Sequence, residues 1–331
     1  MCTSIVMESL DGKHFLSRTM DFGFDLEATP SLCPRKYHWK SATDGSEFIG
    51  DYSLVGAGRN LGQMLFTDGV NEHGLSCAAL YLPGESTYEP TTKAGKINLA
   101  PHEFLLWILT SCKSIEDLSD KLDSINLVDM KVPLLGIVTP LHWIMTDNTG
   151  KCVVIEPHGS PLEIITNPVK VLTNTPKLEW HISNLRNFIG IKPEQFASRK
   201  FGDFEATPFS QASGTSLLQG GFTPPERFVR AAYLKEYIDE AKNEEEAITN
   251  IWHVLNSVRI PRGVVMKNDG NPDITQYVAS MCSESKTYYF TPYQNSQISC
   301  VTLTQDYIEN GTAPISCGIS KNQEFKWLNK S

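Results

Sequence analysis

The sequence predicts an α+β fold built on antiparallel sheets. Two observations carry this: a tight-turn signal separates β-compatible runs, and the elements follow the order strands, helices, strands, helices, strands. An alternating parallel α/β arrangement would instead place a crossover helix after each strand.

The chain opens with Cys2 to Met7 and Lys13 to Met20 flanking Asp11-Gly12, a dipeptide that favours the positive φ angles of a hairpin turn. This hairpin returns Arg18 and Asp21 towards Cys2. Pro101 to Ser111 reads as an apolar helix with Pro at its start. Ser114-Ile115-Glu116-Asp117 resembles a capping box, opening a helix with Ile115, Leu118, Leu122 and Ile125 on one face. A second hairpin pairs His142 to Thr146 with Lys151 to Glu156 around Asp147-Asn148-Thr149-Gly150. In Thr223-Pro224-Pro225-Glu226, Thr is the N-cap, Pro takes the first helical position and Glu can reach back to the cap amide, so a helix should run to about Lys242. Another begins at Glu244, with Ile248, Ile251, Trp252 and Leu255 at helical spacing, and Pro261 ends it. Strands at Tyr277 to Met281, Lys286 to Phe290 and Gln297 to Leu303 follow. No internal repeat, low-complexity stretch or linker divides the chain. Thr207 to Gly221, rich in Ser, Gly and Gln, is the long excursion.

Composition narrows the function classes. The 331 residues, 40% hydrophobic and 20% charged, suit a soluble globular protein with a sizeable core. A formal net charge of -9, with no Lys/Arg block interleaved with aromatics, argues against nucleic acid as a partner. No run of about 18 apolar residues suggests a membrane span. The opening MCTSIVMESL lacks the basic and apolar regions of a secretory signal, so the cytosol is the expected compartment. Eight cysteines (Cys2, Cys33, Cys77, Cys112, Cys152, Cys282, Cys300, Cys317) are scattered without a C-x-x-C, and no His pair stands at metal-ligand spacing. Reduced thiols, no zinc and no cofactor are expected.

Cys2 differs from the other seven. Removal of Met1 would leave a thiol and a free α-amine on one residue. An unperturbed thiol titrates near ~8.5 and an α-amine near ~7.7 to 8.0, so the pair is a nucleophile carrying its own base. The plain alternative is a small buried hydrophobe.

Several ordered motifs decide between these readings: Met-Cys-Thr-Ser at the start, Arg18-Thr-Met-Asp21-Phe22, Asp68-Gly-Val-Asn71-Glu-His-Gly74-Leu75, Pro140-Leu-His-Trp143, Leu172-Thr-Asn174-Thr-Pro176, Thr223-Pro-Pro-Glu-Arg227-Phe228 and Tyr288-Tyr-Phe290. With them the chain resembles the choloylglycine hydrolase family of N-terminal nucleophile hydrolases, which includes conjugated bile-acid hydrolases and penicillin V acylases. The resemblance implies a four-layer αββα sandwich, two stacked antiparallel sheets between helix layers, formed by a single domain over residues 2–331 once Met1 is removed. It also implies a homotetramer, with residues 187–221 as the excursion reaching a neighbouring subunit.

The chemistry implied is amide hydrolysis through a thioester. The Cys2 thiolate attacks the carbonyl, the Cys2 amine passes the proton to the leaving amine, and water releases the acyl group. By the same resemblance Arg18 lies beside the nucleophile, Asp21 orients the α-amine, and Asn174 with the main-chain amide of Tyr81 stabilises the oxyanion. Arg227 falls in the first turn of a helix, where a cation opposes the helix dipole, and the family places it at the active site. Tyr81 stands where bile-acid hydrolases of the family carry Asn and penicillin V acylases often carry Tyr. Hydrolysis of penicillin V to phenoxyacetate and 6-aminopenicillanate is therefore expected first, conjugated bile-acid hydrolysis second and N-acyl-homoserine-lactone hydrolysis third. Met20, Phe24, Phe66 and Tyr81 are the expected pocket walls. A non-catalytic binding protein is opposed by the joint presence of Cys2, Arg18, Asp21, Asn174 and Arg227.

Overall fold

In the computed structural model, which describes residues 1–132 and 135–329, the first hairpin forms around Gly12 at φ +80°. Its strands are β1 (Cys2–Glu8) and β2 (His14–Phe22), paired so that Cys2 faces Met20 and Ser4 faces Arg18. Side chains alternate across a strand, so this register puts Cys2, Arg18 and Met20 on one face and Thr3, Thr19 and Asp21 on the other. Every later contact at the site follows from that alternation.

β1 and β2 lie inside a six-stranded antiparallel sheet. Val171–Leu172 pairs with β1, and β2 is followed by Ile274–Cys282, Thr287–Pro292 and Ser299–Thr302. A second, eight-stranded antiparallel sheet orders Ile165–Thr166, Cys152–Ile155, Leu141–Thr146, Ser76–Tyr81, Met64–Asn71, Leu54–Asn60, Thr29–Cys33 and Ile315–Ser316. Helices α1 (Phe104–Ser111) and α2 (Ile115–Leu122) cover the outer face of the eight-stranded sheet, where Leu109 and Leu118 pack with Trp143 and Met145. A short helix, α3 (Leu178–Asn184), follows Val171–Leu172. Helices α4 (Pro224–Tyr237) and α5 (Glu244–Asn256) cover the six-stranded sheet, with Phe228, Ile251 and Leu255 fully buried beneath them. The result is the four-layer αββα sandwich. Fully buried Ile5, Phe15 and Leu16 contribute roughly 1.5 to 3 kcal/mol each to holding the β1–β2 hairpin in the core.

Three expected boundaries shift. Helix α4 ends at Tyr237 rather than near Lys242, because Ile238 turns extended and Ala241 is drawn to the hairpin turn, where its carbonyl accepts from Leu10 N–H at 2.8 Å. Ile125 leaves the α2 face and enters a short strand, Ile125–Leu127, parallel to Ile97–Leu99. α5 stops at Asn256, five residues before Pro261. The strands Leu54–Asn60 and Met64–Asn71 escape the sequence reading because glycines interrupt the β signal. At Gly56 the reason is close approach: a Cβ there would lie 2.0 Å from the carbonyl oxygen of Asp68.

The turn after Met64–Asn71 is held by Glu72, 8% exposed, whose carboxylate accepts from Ser53 N–H at 2.9 Å, Ser53 Oγ at 2.6 Å and the Arg35 guanidinium. Burial alone would raise its pKa; the bonds from Arg35 and Ser53 outweigh burial and hold it below the usual value. A depressed folded pKa stabilises the protein above the unfolded value and loses that contribution as pH falls through the folded one. Glu72→Gln should therefore cost about 1 kcal/mol at pH 7 and progressively less towards pH 3, read from urea midpoints across that range.

Candidate active site

The sulfur of Cys2 sits on the inter-sheet face of β1, 3% exposed, and receives Nη2 of Arg18 at 2.8 Å. A guanidinium at that distance sets a fixed positive charge beside the sulfur. Arg18 is itself fully buried and held from three sides: Nη1 donates to Asp68 Oδ2 at 3.2 Å and Thr67 O at 3.3 Å, and Nε donates to Thr19 O at 3.2 Å. Burial alone would lower its pKa, but the charges of Cys2, Tyr277 and Asp68 raise it overall, so the cation persists.

Asp68 anchors this arrangement and was absent from the expected site residues. Its carboxylate accepts from Tyr277 Oη and Tyr288 Oη, each at 2.6 Å, in addition to Arg18. Burial and the Asp68 charge push both phenols well above their ordinary pKa, so they remain donors. A bulge between Thr275 and Tyr277 makes this possible. With the extra residue, Thr275 pairs with Asp21 and Tyr277 with Met20, on opposite faces of the sheet. The motifs Asp68-Gly-Val-Asn71 and Tyr288-Tyr-Phe290 each contain one of these residues, but nothing in either indicates that the two meet.

The other face of the hairpin meets α4. Arg227, fully buried in the first turn of that helix, donates from Nη1 to Cys2 O at 2.6 Å and Thr3 Oγ1 at 2.5 Å, and from Nη2 to Asn174 Oδ1 at 2.7 Å. Burial lowers its pKa while Asp21 and Cys2 oppose that effect. The unfavourable position at a helix start is thus offset by acceptors on β1, with the Asp21 carboxylate 3.9 Å away. The Glu226 carboxylate caps the same helix by accepting from Thr223 N–H and Oγ1.

Asn174 joins the two faces. Its Oδ1 accepts from Cys2 N–H at 2.8 Å and from Arg227, while its Nδ2 donates to Tyr81 O at 2.7 Å. Two donors on one side and an acceptor on the other fix the orientation of the amide. His181 supports the backbone here, with Nε2 2.8 Å from Asn174 O, and burial holds its imidazole below the usual pKa. The Asp21 carboxylate accepts from Thr19 Oγ1 at 3.0 Å and Thr275 Oγ1 at 2.5 Å, and its main-chain oxygen accepts from the Met1 ammonium at 2.5 Å. With Met1 in place, the Cys2 nitrogen is a peptide N–H directed at Asn174, and the carboxylate of Asp21 is engaged by threonines.

A largely apolar cavity opens beside the sulfur. Met20, Phe66 and Tyr81 line it, and the Tyr81 ring meets Phe22 edge to face at 5.3 Å between centroids. Phe24 is a correction: it lies outside the lining and is 42% exposed, while Phe22, the last residue of β2, forms the wall. Among the described residues no cluster of three or more His, Cys, Asp or Glu side chains is arranged to hold a metal ion. No helix among them is long and apolar enough to cross a membrane.

Comparison with known proteins places this geometry in context. Residues 2–316 match the linear amide C–N hydrolases of the choloylglycine hydrolase family. A bile salt hydrolase/transferase of Clostridium perfringens is 33% identical over 312 residues, 93% of this chain and 94% of that protein. The crystal structure of the C2A mutant of conjugated bile acid hydrolase from Clostridium perfringens superposes with a TM-score of 0.91 at 31% identity, over 99% of this chain and all of that one. The penicillin V acylase of Agrobacterium tumefaciens shares the fold, with a TM-score of 0.74 at 21% identity over 95% of this chain and 90% of that one.

Proposed function

This chain belongs to the choloylglycine hydrolase family of linear amide C–N hydrolases, and on that premise we propose that it cleaves conjugated bile acids, with Cys2 as the nucleophile. The observation that carries the reading is the Cys2 sulfur, hydrogen-bonded to a buried guanidinium and lining an apolar cavity. Loss of Met1 converts the Cys2 peptide nitrogen into an amine beside Asn174 and Asp21. The thiolate attacks the amide carbonyl, and the tetrahedral oxyanion takes hydrogen bonds from Asn174 Nδ2 and the Tyr81 main-chain N–H. Collapse expels the amine with a proton from the Cys2 ammonium. Water then adds to the thioester, the same amine acts as base, and the acyl group leaves as a carboxylate. Arg18 holds charge on sulfur, Arg227 fixes Cys2 and Asn174 relative to each other, and Asp21 orients the new terminus.

The order of substrates expected from Tyr81 is reversed here. Similarity at 33% identity to a bile salt hydrolase/transferase supports conjugated bile acids, whereas likeness to a penicillin V acylase at 21% bears on the fold alone. Penicillin V is kept as the second reading on one observation: the Tyr81 ring stands on the cavity wall against Phe22, where it can face a phenoxy group. Turnover of glycocholate, taurocholate and penicillin V by one preparation separates the readings. A higher kcat/KM for the bile salts is expected; a large preference for penicillin V would overturn the assignment.

We also propose that residues 187–221 form the arm of a homotetramer. Here a short hairpin, Arg199–Phe201 with Phe204–Ala206, exposes Phe201 and Phe204, and Phe209 is 98% exposed. Exposed aromatics on a projecting segment mark an interaction surface. Replacing Phe204 and Phe209 together by Asp should convert a tetramer to smaller species in light scattering; a mass equal to the parent's would remove the proposal.

A further inference from the structure

The two peptide carbonyls that flank the Cα of Asn174 each meet a buried imidazole. Thr173 O lies 3.0 Å from Nε2 of His142, and Asn174 O lies 2.8 Å from Nε2 of His181. A carbonyl oxygen can only accept, so each Nε2 carries the hydrogen. The two rings come from different elements. His142 stands on the strand Leu141–Thr146, paired with Leu80, and His181 stands on α3 with its ring stacked on Phe228 at 4.7 Å and 12°. One carboxylate serves both. Glu156, a step beyond the Trp143–Ile155 pair, places Oε1 3.2 Å from Nδ1 of His142, and the same oxygen accepts at 3.0 Å from the N–H of Leu178, the first residue of α3. Burial alone would raise the Glu156 pKa; the bonds from His142 and Leu178 N–H outweigh burial and hold it below the usual value, so it remains an acceptor.

We propose that His142 and His181, organised together by Glu156, are positioning residues that fix the aim of the Asn174 amide at the oxyanion. This rests on the amide-hydrolase reading above and adds residues to that same site. The backbone has two soft dihedrals per residue, and both of those at Asn174 lie between the two held carbonyls, so fixing the two peptide planes fixes the direction of its Cα–Cβ bond. The contacts of the side chain with Cys2 N–H, Arg227 and Tyr81 O then set only the rotation beyond that bond. Regular structure does not supply this restraint, because Asn174 lies after the strand Val171–Leu172 and before α3. A neutral donor stabilises a developing oxyanion where its geometry is preset, and a misplacement of about 1 Å can cost about 100-fold in rate. His142, His181 and Glu156 all lie off the wall of the cavity beside Cys2, so their effect on the reaction passes through Asn174.

The kinetic signature separates positioning from simple support of the fold. His142→Phe and His181→Phe each keep a flat ring and remove the donor, and the second keeps the stack on Phe228. Each should lower kcat for glycocholate roughly 10- to 100-fold with KM changed by less than about threefold. His142→Gln, whose amide N–H can reach Thr173 O, should recover most of the loss, whereas His142→Asn, whose shorter amide reaches Glu156 alone, should not. In an Asn174→Ala background the same substitutions should lower kcat by less than about threefold, because the group they position is gone. Urea midpoints identify the folded variants, and His142→Asn takes the place of a Phe variant that does not fold. A kcat within about threefold of the parent in every folded variant would overturn the proposal, as would an undiminished loss in the Asn174→Ala background. Crystal structures of the same variants read Asn174 without activity: its amide should move by about 0.5 Å or more from the Tyr81 carbonyl, and an unmoved amide in all of them would also overturn the role. A parent that turns over none of glycocholate, taurocholate and penicillin V, while its variants displace Asn174, would instead defeat the hydrolase reading and leave the positioning of Asn174 standing.

Discussion

Cys2→Ala should lower kcat for a conjugated bile salt by roughly 10⁴-fold or more while leaving the fold in place, because removing the nucleophile of a covalent mechanism leaves only binding and oxyanion stabilisation. The side chain lost is small, and the remaining contacts of residue 2 are made by its backbone, to Asn174 and Arg227. The variant should therefore bind substrate and show a urea midpoint near that of the parent. Stopped assays with excess enzyme would detect residual turnover; a loss of less than tenfold would exclude Cys2 as the attacking group.

Asp68→Ala should produce the largest loss of stability, about 3 to 5 kcal/mol, although the Asp68 carboxylate bonds to Arg18, Tyr277, Tyr288 and the Ala57 amide rather than to the sulfur and lies off the cavity wall. Removing the carboxylate leaves the Arg18 cation buried beside two phenols, with only main-chain oxygens and sulfur as acceptors. Tyr288→Phe removes one donor from the same carboxylate and should cost only about 1 kcal/mol. Chemical unfolding of both variants at pH 7 checks the ratio. Similar small losses in the two would mean that Asp68 is not what holds Arg18. The Asp68 variant should also lose activity disproportionately, since the guanidinium is no longer held against the sulfur.

The unequal legibility of these two positions has a physical origin. The β1–β2 hairpin was readable because Asp11-Gly12 encodes its turn locally, and the α4 start because Thr223, Pro224 and Glu226 encode a cap within four residues. Cys2, Arg18, Asp21, Asn174 and Arg227 were nameable through the motifs they share with the family, and the fold brings them together around Asn174 and the hairpin. Asp68, Tyr277 and Tyr288 were not, because their relation is set by sheet stacking across more than two hundred residues and by a bulge that reverses the phase of one strand. No local pattern announces either. Phe24 failed for a related reason: β2 ends at Phe22, so Phe24 lies beyond the strand and its alternation, and Phe22 meets Tyr81. The helix beyond Tyr237 failed because an external contact, between Ala241 and the hairpin turn, overrode helical propensity.

Met1 supplies the most direct test of the whole scheme. Its ammonium lies on the Asp21 carbonyl, and while it remains the Cys2 nitrogen is an amide that cannot accept a proton. Intact-mass spectrometry of an active preparation, combined with trapping of the acyl group on the protein, reads both halves of the claim at once. The prediction is a mass lacking one methionine and an acyl adduct on the new N-terminal cysteine. Full turnover by protein that retains Met1 would contradict it.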